Sequence, residues 1–129
     1  MTVKHKIELE YLLKTSPKVF ESMVSTPSGL SEWFADDVNI KDDIYTFYWD
    51  GSQEQARLLT KKAGTHMRWQ WLKDEDDPAE SFFEIRYEVD PMTKALVLQI
   101  VDFAEQDDLD EVRMQWETAV QELRRVLGS

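Results

Sequence analysis

The chain has 129 residues, no cysteine, and 15 Lys and Arg against 26 Asp and Glu, a formal charge of -11. That length suits one domain that buries roughly two thirds of the surface its unfolded form exposes. The missing cysteines exclude disulfides, thiolate metal sites and a cysteine nucleophile, and make the cytoplasm the default location. The acidic surface repels a phosphate backbone, so nucleic acid is not an expected partner.

Met1 to Lys6 lead straight into polar-apolar alternation, without the apolar core and small-residue cleavage site of a secretion signal. No apolar run approaches the roughly 18 residues needed to span a bilayer, so no membrane association is expected. Lys6 to Tyr11 alternate with period two, as a strand with one buried face does, and Ile7, Leu9 and Tyr11 belong to that face. Ser16-Pro17 and Thr26-Pro27 each combine a capping side chain with a proline suited to a first helical turn. Two short helices are therefore predicted, the first with Val19, Phe20 and Met23 on its apolar side, the second with Leu30, Trp33 and Phe34.

From Asp36 to Phe103 six strands are expected, near 38 to 41, 44 to 49, 53 to 62, 65 to 72, 81 to 89 and 95 to 103. Asp50-Gly51 reads as a hairpin turn, because glycine tolerates positive φ. Ala63-Gly64, Lys73 to Glu80 and Asp90 to Thr93 mark further turns, and such short links imply an antiparallel meander. Asp108 to Glu111 fits a capping box, and Leu109, Val112, Trp116, Ala119, Val120, Leu123 and Leu127 follow at helical spacing. Gly128 suits the C-terminal cap of that long helix, and Arg124 and Arg125 complement its dipole. Nothing divides the chain, so residues 1 to 129 read as one α+β domain.

Strand, two short helices, six-stranded meander and long terminal helix together resemble the START-like, helix-grip superfamily. Tyr11 to Pro17, Thr26 to Phe34 and Phe47-Tyr48-Trp49 resemble its branch related to the activator of a heat-shock chaperone ATPase. Ile100 to Ala104, the acidic cap and Trp116 are similar to a small bacterial START-like group. The resemblance implies a curved antiparallel sheet around the C-terminal helix, and it fixes fold better than activity.

Trp33, Phe47, Trp49, Trp69, Trp71 and Trp116, with Tyr45, are the aromatic candidates for a ligand cleft between sheet and helix. The ordinary role of such a stripe is core packing. Arg68, Gln70, Glu84, Arg86 and Gln99 suit cross-strand pairs on the outer face or, alternatively, polar orientation of a ligand head group, whereas Asp102 falls in step with Leu98 and Ile100 and is expected to face inward. His5 and His66 stand apart from other ligand types, and the acidic runs Asp74 to Asp77 and Asp107 to Glu111 lack an EF-hand's glycine and terminal glutamate. No metal, cofactor-binding motif or catalytic constellation is expected.

Three functions remain open, beside that of a domain that only scaffolds a larger assembly. The first is a non-enzymatic module holding a small hydrophobic or amphipathic molecule through Trp33, Phe47, Trp49, Trp69, Trp71, Asp102 and Trp116. The second is a protein-interaction or co-chaperone-like module with a protein partner or as a homodimer. The third is a cyclase- or hydrolase-type enzyme using Asp102, Glu84 or Tyr87 as acid or base.

Overall fold

Capping chemistry decides the first half of the chain. In the computed structural model, which describes residues 4–62, 65–74 and 82–128, β1 (Lys4–Leu13) leads to α1 (Pro17–Ser25) and α2 (Pro27–Trp33). Ser16 Oγ accepts from Val19 N at 3.1 Å, and Thr26 Oγ1 accepts from Gly29 N at 2.9 Å while donating to Ser22 O at 2.7 Å. Thr26 thus ends one helix and opens the next, satisfying an orphan carbonyl and an orphan amide with one hydroxyl. The two helices cross closely at Gly29, where a Cβ would lie 2.1 Å from Ser22 O. Only glycine permits that approach, which explains its place in the Pro-Ser-Gly-Leu segment.

The strands follow as β2 (Asp37–Lys41), β3 (Ile44–Trp49), β4 (Ser52–Lys62), β5 (His66–Trp71), β6 (Phe82–Val89) and β7 (Leu96–Glu105). They form one antiparallel sheet in the order β1-β7-β6-β5-β4-β3-β2, so the first strand pairs with the last and the rest is a meander. The Asp50-Gly51 turn has the expected positive φ at Gly51, 82°, with Trp49 paired to Ser52. Asp42 also takes positive φ, 57°, in the tight link from β2 to β3, a conformation aspartate tolerates better than most residues. In β4 the register shifts between Leu58 and Thr60, which leaves Leu59 exposed. The predicted Ala63-Gly64 turn, residues 75 to 81 and the Asp74 side chain lie outside the described part.

The terminal helix α3 (Leu109–Leu127) ends at Gly128 in the left-handed region, as expected. Its start differs. Asp108 makes no side-chain capping bond, because a 3-10 turn at Gln106–Asp108 already places its backbone at φ -105°, ψ -3°. A capping side chain reaches back to the first-turn amides from an extended backbone, and Asp108 lacks one. Asp110 and Glu111 still stand in the first turn and Arg124 and Arg125 in the last, so the charge arrangement along the dipole persists. Trp116, Val120 and Leu123 are buried, with Val112, Ala119 and Leu127 packed beside them. That stripe covers the concave face of the sheet, where Ile7, Leu13, Phe47, Trp69, Phe83, Ile85, Leu98 and Ile100 make the core. The architecture is the helix-grip α+β arrangement. No helix among the described residues is long and apolar enough to cross a membrane.

Candidate functional site

Alternation along β3, β5 and β6 sends Tyr45, Phe47 and Trp49, then Met67, Trp69 and Trp71, then Phe83, Ile85 and Tyr87 to the concave face. Their rings meet. Trp69 stacks on Phe83 at 4.9 Å, Trp71 lies 4.8 Å from Phe83, and Phe47 is 5.9 Å from both Trp49 and Trp71. Phe47 and Trp69 are fully buried, while Trp49 and Trp71 at the strand ends are partly exposed.

Phe34, just past α2, closes this set from above. Its ring lies 4.9 Å from Phe47, 5.6 Å from Phe83, 5.8 Å from Trp49 and 5.4 Å from Trp116. Trp116 thereby joins the aromatics of the sheet through Phe34 and, at 6.0 Å, through Phe83. Trp33 points the other way, donating its Nε1–H to Met23 O at 2.8 Å and fixing α2 on α1. The Trp49 indole donates to Phe34 O at 2.9 Å, which anchors the backbone beneath the Phe34 ring.

Beneath Phe34 a narrow gap remains, lined by Leu30, Phe34, Phe47, Trp69, Phe83 and Ile85, with no room for a water molecule. Trp69 is one of the lining residues, and its buried Nε1 has no hydrogen-bond partner among the described residues. Tyr11 OH, elsewhere on the concave side, also has no partner among the described residues. Buried donors are nearly always paired, so a fully buried indole N–H without an acceptor calls for a reason.

Asp102 faces inward near the end of β7, as its spacing implies. Oδ1 accepts the Phe103 amide at 2.7 Å and Oδ2 the Trp116 Nε1–H at 2.8 Å. Burial pushes its pKa up to about 6, and the bonds from Trp116 and Phe103 and the charge of Lys4 only partly offset that. Glu84 lies on the opposite, outer face. Burial alone would raise its pKa, but the hydrogen bonds and charges of Arg86 and Arg68 outweigh this and hold the carboxyl below its ordinary range. A carboxylate fixed in its ionised form by two guanidinium groups is a poor general base. Tyr87 packs its ring on Phe20 at 4.8 Å inside the core. Among the described residues no three His, Cys, Asp or Glu side chains are grouped to hold a metal.

The structure thus brings together Phe47, Trp49, Trp69, Trp71 and Trp116, places Asp102 beside Trp116, and sets the Trp33 indole against α1. Sequence reasoning missed Phe34 and Phe83 as members of this cluster. Phe83 is in step with Ile85 and Tyr87, so alternation could have found it, whereas Phe34 follows the last residue of its helix, where helical spacing gives no direction.

A seven-stranded sheet gripping a C-terminal helix over an aromatic floor defines a helix-grip domain. The family model for the START-like superfamily domain matches residues 1–129, and the chain belongs to that superfamily. The solution structure of a Bacteroides fragilis protein is similar at 39% identity, covering 98% of this chain and 92% of that one, with a TM-score of 0.67. The Aha1 dimer from Colwellia psychrerythraea is similar at 16% identity, covering 95% and 96%, with a TM-score of 0.76. A crystal structure from Mesorhizobium loti shares 14% identity over 96% and 97%, also with a TM-score of 0.76. The last two likenesses concern the fold alone. No curated protein matches the chain.

Proposed function

We propose that this chain is a non-enzymatic binding module that takes one small apolar molecule carrying a hydrogen-bond acceptor between the concave sheet and helices α2 and α3. The observation behind this reading is the Trp69 N–H, fully buried and unpartnered among the described residues, on a side chain that lines an apolar gap. An unsatisfied buried donor costs about 1–3 kcal/mol, which a ligand carbonyl or ether oxygen would recover. Phe47, Trp69 and Phe83 form the floor of the site, and Trp49, Trp71 and Trp116 its rim. Asp102 fixes the Trp116 indole, and Trp33 fixes α2, which carries the covering Phe34. Entry requires the Phe34 ring to swing out, and burying about 300 Å² of ligand would contribute roughly 7 kcal/mol before the costs of association and opening.

The test compares two ligands of nearly equal size, acetophenone and ethylbenzene, by tryptophan fluorescence titration. Only the ketone can satisfy Trp69, so it should bind at least about fivefold more tightly, and Trp69→Phe should erase the difference. Absence of saturation by either ligand, or a preference that survives Trp69→Phe, refutes the proposal.

The protein-interaction reading has one observation in its favour, the likeness to a Colwellia psychrerythraea protein described as a dimer. Light scattering coupled to size-exclusion chromatography tests its homodimer form: a mass twice 15.2 kDa supports it and a monomer mass at high concentration removes it.

A further inference from the structure

The convex face of the sheet holds a second concavity, separate from the aromatic one. The register aligns Glu8, Val101, Glu84 and Arg68 in one row across β1, β7, β6 and β5, and Glu10, Gln99, Arg86 and His66 in the next. These rows line much of a cavity of about 570 Å³, within the range usual for small-molecule sites. At its centre the Glu84 side chain is only 4% exposed although it sits on the outer face. Arg68 Nε donates to Oε1 at 3.0 Å and Arg86 Nε to Oε2 at 2.6 Å, so each oxygen holds one guanidinium. The Arg68 guanidinium also lies over the Phe82 ring at 4.2 Å, and Phe82 is braced edge-on by Phe103 at 4.9 Å.

Both arginines are therefore held by their Nε edges. Among the described residues their Nη atoms make no hydrogen bond, which leaves two fixed forks of donors at one cavity. One carboxylate between two guanidinium groups leaves a local excess of one positive charge on a chain of formal charge -11. Elsewhere in the lining Lys6 pairs with Glu8 at 3.2 Å, while Glu10 accepts from the neutral Gln99 at 3.3 Å and keeps its charge, so the lining as a whole is balanced and the oriented Nη donors, not net charge, favour an oxyanion. Neutralising Glu84 would need one arginine. A second, oriented by the same buried carboxylate, is what recognition of an oxyanion uses, since planar forks match carboxylate and phosphate geometry and their ordering is settled in advance.

We propose that this outer-face cavity binds a small molecule bearing a carboxylate or phosphate group, gripped by the Nη donors of Arg68 and Arg86, with Glu84 as the positioning residue. The site is independent of the aromatic gap, and each can fail without the other.

The test is an NMR titration of ¹⁵N-labelled protein, following the arginine Nε–Hε signals and the backbone amides of β5 to β7. Inorganic phosphate and sodium benzoate are added separately, with sodium chloride of equal ionic strength as reference. Saturable shifts at Arg68 and Arg86 are expected, weakened at least tenfold by Arg86→Gln and by Arg68→Gln. Arg86→Lys keeps the charge beside Glu84 and the fold, and should still weaken binding about fivefold because it removes the fork. Saturation by phosphate alone or by benzoate alone supports the site and identifies the head group. Shifts that merely follow those in sodium chloride, or binding that persists unchanged in Arg86→Lys and Arg68→Gln, overturn it.

Discussion

Across the junction of β7 and α3, the Trp116 Nε1–H donates to Asp102 Oδ2 at 2.8 Å, joining the helix to the sheet through one partly buried carboxylate. That carboxylate has a folded pKa of about 6 against an ordinary 3.8. A raised acid pKa means that the folded state holds the proton more tightly than the unfolded one. The associated stability is present below about pH 4 and lost as pH rises through about 6, by no more than about 3 kcal/mol. Asp102→Asn should therefore remove a falling component of the stability curve between pH 4 and 7. The asparagine has one acceptor oxygen for two donors, so the variant should be less stable than the parent at pH 4 and recover ground by pH 7. Urea denaturation across that range checks this, and parallel curves for the two proteins would place the titration elsewhere. Emission of Trp116 should change through about pH 6 in the parent only.

Gly29 and Gly51 separate two reasons for a glycine. A Cβ at Gly29 meets backbone atoms, 2.1 Å from Ser22 O and 2.7 Å from Met23 Cα, which cannot yield without parting α1 from α2. Gly29→Ala should cost about 2–4 kcal/mol and weaken the Trp33 bond to Met23 O. At Gly51 a Cβ meets nothing within 4 Å, and only the φ of 82° opposes a side chain. Gly51→Ala should cost about 1 kcal/mol. Equal melting temperatures for the two variants would contradict the close crossing of the helices.

The fold was legible because its local signals agree with its global arrangement. Ser16-Pro17, Thr26-Pro27, Asp50-Gly51 and the stripe from Val112 to Leu127 each specify an element by short-range chemistry, and alternation sets the inner face of each strand. Asp102 was readable for the same reason, as a polar residue in step with Leu98 and Ile100. The meeting of Phe34, Phe83 and Trp116 was not legible, because α2, β6 and α3 come together only through tertiary packing. Nor was the sharing of Glu84 by two arginines: Arg86 lies two residues away on the same strand, but the pairing of Glu84 with Arg68 depends on the register of β5 on β6.

Glu84→Gln should lower stability at pH 7 by about 1–2 kcal/mol. The arginines are half exposed, so water screens much of their interaction, yet an amide facing two guanidinium groups leaves one without an acceptor. Glu84 has a depressed folded pKa, so its contribution is present above the ordinary glutamate range and lost as pH falls through the folded value. The difference between variant and parent should therefore shrink on acidification toward pH 3. A penalty that stays constant from pH 7 to 3 would show that shape rather than charge matters there.

Phe34 distinguishes a filled core from a covered site. Its ring is partly exposed, whereas Phe47, Trp69 and Phe83 beneath it are fully or nearly fully buried, so it lies between solvent and the gap beside Trp69. If the aromatic cluster is only packing, Phe34→Ala loses contacts and gains nothing. Stability then falls by about 2–3 kcal/mol, the lower part of the range for deleting a core phenylalanine, because the ring is not wholly enclosed. If the gap is a site, the same substitution also removes the free energy spent in displacing the ring before a ligand can enter. An opening cost of about 1.4 kcal/mol corresponds to a tenfold gain in apparent affinity. Phe34→Ala should therefore lower the melting temperature and tighten acetophenone binding about tenfold, with the tryptophan response saturating at lower ligand. Phe34→Trp, filling the same place with a larger ring, should weaken it. Destabilisation without any gain in affinity would mean that the aromatics beneath Phe34 are closed core.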